Sequence, residues 1–174
     1  MILELLGPEP DFYRALSAAW RIAFYVTCFG AAGLGVFAIG FSRLQTPQDA
    51  ASCRRLTRTM VALGLASSLL WLATQVALAS DGDPFDAEVW DMMVTSRPGI
   101  SVLIAWTGLL AVAVATWMGQ PSLVVGAAGI LTIAASFTAV GHTTQHQPRW
   151  LLAAALVTHL SLIHISEPTR RRGI

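Results

Sequence analysis

Residues 60–80 read MVALGLASSLLWLATQVALAS, a run without a single charged side chain. A hydrocarbon core about 30 Å thick takes about 20 helical residues at about 1.5 Å each, so this run is long enough to cross a bilayer once. A barrel strand would instead alternate apolar and polar residues over roughly 10 positions, and no such alternation occurs. Because lipid supplies no hydrogen bonds to an open backbone, the run reads as a helix. Working outward, similar runs occupy about 22–41, 99–118 and 123–141, with Trp20 at the head of the first as an interfacial anchor. Gly119 and Pro121 break the chain between the last two. A fifth run, about 150–165, starts at Trp150 and is interrupted near Ile165.

Composition agrees: 55% of the 174 residues are hydrophobic, 12% are charged, and mean hydropathy is +0.61, values outside the range of ordinary water-soluble domains. The expected fold is all-α, a polytopic transmembrane helical bundle of four full spans plus a fifth, truncated span. With no long polar segment to form a second domain, residues 1–160 are expected to form that one bundle within the lipid bilayer. Eleven basic against ten acidic residues leave no basic excess, and no nucleic-acid partner is expected.

Arginine placement orients the spans. Arg43, Arg54, Arg55 and Arg58 fall between the first and second runs, marking that connection as cytoplasmic. Residues 81–98 carry Asp81, Asp83, Asp86, Glu88 and Asp91 against Arg97 alone, which suits the outer side. Both connections agree with an N-terminus outside, in a multi-pass protein of a bacterial cytoplasmic (inner) membrane. The acidic, proline-containing start, with Glu4, Glu9 and Asp11, does not resemble a cleavable signal peptide. Cys28 falls inside a span and Cys53 in the arginine-rich connection, so no disulfide framework is expected. Ala31 with Gly35, Gly64 with Ser68, and Ala128, Thr132 and Ser136 recur at spacings of four, as close helix packing requires. Trp71, Trp106 and Trp117 read as packing or interface residues.

The chemistry concentrates near the C-terminal end, in SFTAVGHTTQHQPRWLLAAALVTHL. His142 and His146 are four apart, which puts both on one face of a continuous helix; Gly141 and Pro148 make a loop clamp the equal alternative. With N-terminus outside, they share the outer face with Met92 and Met93. Imidazole suits copper, zinc, iron and nickel, and thioether sulfur selects copper(I), so the set leans toward a copper ion; the competing reading is two solvated histidines near headgroups. His159 lies nine residues past Trp150, about 13 Å deep. An ionisable group at that depth is a functional candidate by default. By the same rise Cys28 sits about 12 Å below Trp20 and Gln75 about 8 Å below the outer end of its span, so the three are expected to share an inner site. The alternative for His159 is a hydrogen bond to Thr132 or Ser136.

These segments resemble the copper resistance protein D family of polytopic inner-membrane proteins. The resemblance rests on LTRTMVALGLASSLLWLATQVALAS, on the acidic connection ending WDMMVTSRPG, and on SFTAVGH followed by a histidine-bearing span, and it covers about residues 14–160. It implies copper handling across the bacterial cytoplasmic membrane, usually uptake in partnership with a periplasmic copper-binding protein, with His142 and His159 as the candidate ligands. His146, Cys28, Gln75, Met92 and Met93 come from position alone. The ending SLIHISEPTRRRGI departs from the family and resembles translated sequencing-adapter sequence; residues 161–174 are expected to be non-native and the natural protein longer. Copper movement makes and breaks no covalent bond, so no enzyme is expected. The alternatives are a haem-binding electron-transfer bundle, disfavoured because His142 and His159 fall at different depths, and a metal-free membrane scaffold subunit.

Overall fold

The computed structural model describes residues 10–117 and 123–138. They form five helices, α1 (Pro10–Gly40), α2 (Pro47–Ala79), α3 (Ala87–Thr95), α4 (Arg97–Trp117) and α5 (Leu123–Thr138), with no strand among the described residues. Three, α1, α2 and α4, are long and apolar enough to cross a membrane, and α5 is apolar over a shorter 16 residues. The expected fourth span is therefore described from 123 to 138. The turn at 119–122, the fifth run at 150–165 and the tail at 161–174 lie outside the described residues.

Two helices begin well before their apolar runs. α1 starts at Pro10 instead of near 22, and α2 at Pro47 instead of near 60. Apolar runs mark where lipid begins, whereas caps mark where helix begins. Thr46 caps α2: its hydroxyl accepts from the Asp49 N–H at 3.2 Å, the Asp49 carboxylate accepts from the Thr46 N–H at 3.3 Å, and Pro47 follows at the first helical position. At about 1.5 Å per residue the 33 residues of α2 measure about 50 Å. A typical tilt of about 20° cannot fit that into a 30 Å slab, so the turns bearing Arg54 and Arg55 stand outside the hydrocarbon. Cys53, expected in a connection, is instead a buried residue of α2 whose thiol faces the Leu34 carbonyl at 3.6 Å.

Residues 81–98, read as an acidic connection, contain α3. The chain leaves α2 through Asp81 and Gly82 at φ 53° and 104°, left-handed geometry that glycine adopts freely, and the Gly82 N–H donates to the Ala77 carbonyl at 2.8 Å. Asp86 then accepts from the Glu88 and Val89 N–H groups at 3.0 and 3.1 Å, nucleating α3. Part of the acidic character of this segment is thus cap chemistry. At the entry to α4 a Cβ on Gly99 would collide with the Met93 and Val94 carbonyls.

The helices close a ring in which α1 packs on α2, α2 on α4, α4 on α5 and α5 on α1, with α3 across one end. Neighbours run antiparallel, as the register shows: Ser17 meets Gln75, Phe24 stacks on Trp71, Thr27 lies against Gly64, and Leu34 meets Cys53. Polar groups also bind the ring, with Trp106 Nε1 donating to the Ser68 hydroxyl at 2.7 Å and the Ser101 hydroxyl donating to the Ser136 carbonyl at 2.7 Å. The buried stripe of α5 is Gly126, Gly129, Ile133 and Ser136, which shares Ser136 with the expected stripe; Ala128 is exposed and Thr132 half-buried. The reason is a backbone crossing: a Cβ on Gly129 would sit 2.8 Å from the Gly108 carbonyl oxygen, and one on Gly108 would sit 2.7 Å from that of Gly129.

Gly129→Val is expected to cost about 1–3 kcal/mol by overpacking this crossing, whereas Gly40→Ala, with nothing within 4 Å of the added carbon, should stay within about 0.5 kcal/mol. Thermal unfolding in detergent, followed by tryptophan fluorescence, checks this; equal midpoints for the two variants would contradict the contact.

Candidate functional site

The candidate residues divide between the interior and the α3 end of the bundle. Cys28, 0% exposed, belongs to the apolar cluster of Phe24, Trp71, Val102, Leu109 and Ile133. There a thiol behaves as a small hydrophobe. Next to it Thr27 spends its hydroxyl on the Ala23 and Phe24 carbonyls, at 2.8 and 3.0 Å.

Gln75 does not join Cys28. Its side-chain amide donates to the Ser17 hydroxyl at 2.5 Å, and Ser17 lies eleven residues, about 16 Å, along α1 from Cys28. Cys28 is instead level with the region of Gly64 on α2, beside the Thr27–Gly64 approach. Depth within one span can be counted from sequence, but the register between two spans cannot, and here α1 starts twelve residues earlier than its apolar run.

Met92 and Met93 are consecutive on α3, so their side chains diverge by about 100°. Met92 is 63% exposed, while Met93 packs against the interior cluster, and the Ser96 hydroxyl lies 3.6 Å from its sulfur. Of Cys28, Met92 and Met93, Met92 is therefore the exposed sulfur. His142, His146 and His159 lie outside the described residues. Among the described residues, no group of three or more His, Cys, Asp or Glu is placed to hold a metal ion.

Sequence reasoning overlooked two polar residues at this end, Arg14 and Arg21. They lie upstream of the uncharged part of the first run, and both are exposed on α1, where they border an open cavity with Ser17, Tyr25, Trp71 and Gln75. The available signal was their seven-residue spacing, two turns on one helix face.

A multi-pass bundle with a mainly apolar centre, and with polar groups and the two methionines of α3 at one end, is the class that these observations define. The chain matches the family model described as copper resistance protein D-like, N-terminal domain, over residues 11–150, and it belongs to that family. It is thus a copper-related, multi-pass membrane protein. The matched stretch includes His142 and His146; His159 lies beyond it. No curated protein and no solved structure matches the chain.

In a Cys53→Ala background, N-ethylmaleimide should modify Cys28 only after denaturation. Mass spectrometry reads the adduct, and modification of the folded protein within minutes would contradict the enclosure of the thiol.

Proposed function

We propose that the protein carries copper across the bacterial cytoplasmic membrane in the direction of uptake, receiving the ion at the outer face from a periplasmic copper-binding protein. The observation that carries this reading is the family match over residues 11–150 in a chain with three long apolar helices. Orientation is supported by charge. Arg43, Arg54, Arg55 and Arg58 gather at the α1–α2 connection, whereas Asp81, Asp83, Asp86, Glu88 and Asp91 gather at the opposite end, so by the positive-inside tendency α3 faces outward.

In this reading His142 and His146 capture the ion beside the exposed thioether of Met92, a donor set suited to copper. His159 relays it at mid-membrane. Sites with few ligands hold an ion tightly enough to enter and loosely enough to leave. The cargo is exchanged between ligands without a covalent reaction, so the role is transport and copper homeostasis, not enzymatic turnover. Cys28 and Met93, turned toward the interior, contribute to the path only if the apolar cluster around them opens.

His142→Ala and His159→Ala are each expected to lower cellular copper accumulation severalfold, measured by elemental mass spectrometry, with the amount of protein in the membrane unchanged. Accumulation at the wild-type level in both variants would remove the histidines from the path. A Soret band in the purified protein would replace this reading with haem binding.

A further inference from the structure

We infer that the α3 end of the bundle holds a binding site for a phosphate-bearing anion, built on Arg14 and Arg21. A cavity of about 570 Å³ opens there, lined by Arg14, Ser17, Arg21 and Tyr25 of α1 and by Trp71 and Gln75 of α2, with Pro98 at the start of α4. That is within the size range of small-ligand pockets. Among the described residues, two guanidinium groups line it and no carboxylate does; the acidic residues of 81–91 stand outside its wall.

Arg21 carries the argument. Its Nε–H donates to the Tyr25 hydroxyl at 3.1 Å, and its guanidinium carbon lies 5.4 Å from the Tyr25 ring centre and 5.8 Å from that of Trp71. A solvated arginine near a membrane surface normally extends its stem toward the headgroups. This one is folded against two aromatic rings, which fixes its position while neutralising none of its charge. Its terminal nitrogens donate to no acceptor among the described residues, which leaves the outer edge of the fork open.

Such a preset fork matches the geometry of a phosphoryl oxygen pair. Arg14 lies two turns away on the same face, about 10 Å along the axis, and lines the same cavity. The Gln75–Ser17 bond holds α1 and α2 together between the two arginines. The phosphate can come from an anionic phospholipid headgroup or from free inorganic phosphate, and both present the same oxygens to the fork.

The test uses the full chain purified in detergent and titrated separately with phosphatidylglycerol, with phosphatidylcholine and with inorganic phosphate, reading the shift in thermal unfolding. Phosphatidylglycerol is expected to raise the midpoint more than phosphatidylcholine does. A response to inorganic phosphate as well identifies a site for the free ion, and its absence identifies a lipid site. Arg14→Gln/Arg21→Gln should weaken the apparent affinity at least about tenfold, while Arg43→Gln, at the other end of the bundle, should leave it unchanged. Arg21→Lys keeps the charge and the fold but removes the fork, and should weaken binding to a smaller degree. The site is overturned if the wild type responds to neither anion, if the double variant or Arg21→Lys responds like the wild type, or if Arg43→Gln loses the response equally.

Discussion

The bundle depends on helices meeting closely enough that dispersion and direct hydrogen bonds replace the hydrophobic force that lipid does not provide. The crossing of Gly108 and Gly129 is where this is most severe, because no side-chain atom separates the two backbones. Around it, Gly64 receives Thr27 and Leu109, and Gly35 receives Ile130. The polar atoms drawn into this packing are satisfied: no buried side-chain nitrogen or oxygen among the described residues lacks a partner. Much of what the bundle leaves exposed is apolar, including Ile22, Val26, Phe37, Leu110, Val124 and Leu131. On a soluble protein such a surface would be a liability, whereas here it is the face offered to acyl chains.

That economy of polar groups divides the molecule by height. The middle layers, from Phe24 and Trp71 down to Leu109 and Val112, are mainly apolar, and their hydroxyls, such as those of Thr27 and Ser68, are bound within the bundle. The end near α3 is different, with Gln75 bound to Ser17, Tyr13 donating to the Gly82 carbonyl at 3.3 Å, and Trp90 donating to the Pro84 carbonyl at 2.9 Å. Chemistry with ions or headgroups needs polar side chains that are reachable, and the described residues supply them at this end. The copper handling proposed for this family member would therefore start from that end.

How far the sequence could be read follows the range over which each signal acts. The membrane spans were legible because hydrophobic length is a sum along the chain, and residues 60–80 and 99–116 behave as expected. The true starts of α1 and α2 were hidden because helix ends are set by caps such as Thr46 with Asp49, which a hydropathy scan does not weigh. α3 was missed for a related reason, its nine residues being defined by Asp86 and not by any apolar run. The relation of Cys28 to Gln75 was illegible in principle: both depths were countable, but which turn of α1 faces which turn of α2 is decided by the fit of Gly64 to Thr27 and of Phe24 to Trp71. Met92 and Met93 show the same limit on a smaller scale, since adjacency in the chain sets two helical side chains apart.

Arg58 reaches across the ring: its guanidinium donates to the Thr116 carbonyl at 3.2 Å, close to the described end of α4. Arginine is also the residue type that retains a segment on the cytoplasmic side during membrane insertion. In the proposed orientation one side chain thus serves insertion and packing together, so relocating this positive charge would also unfasten α2 from α4.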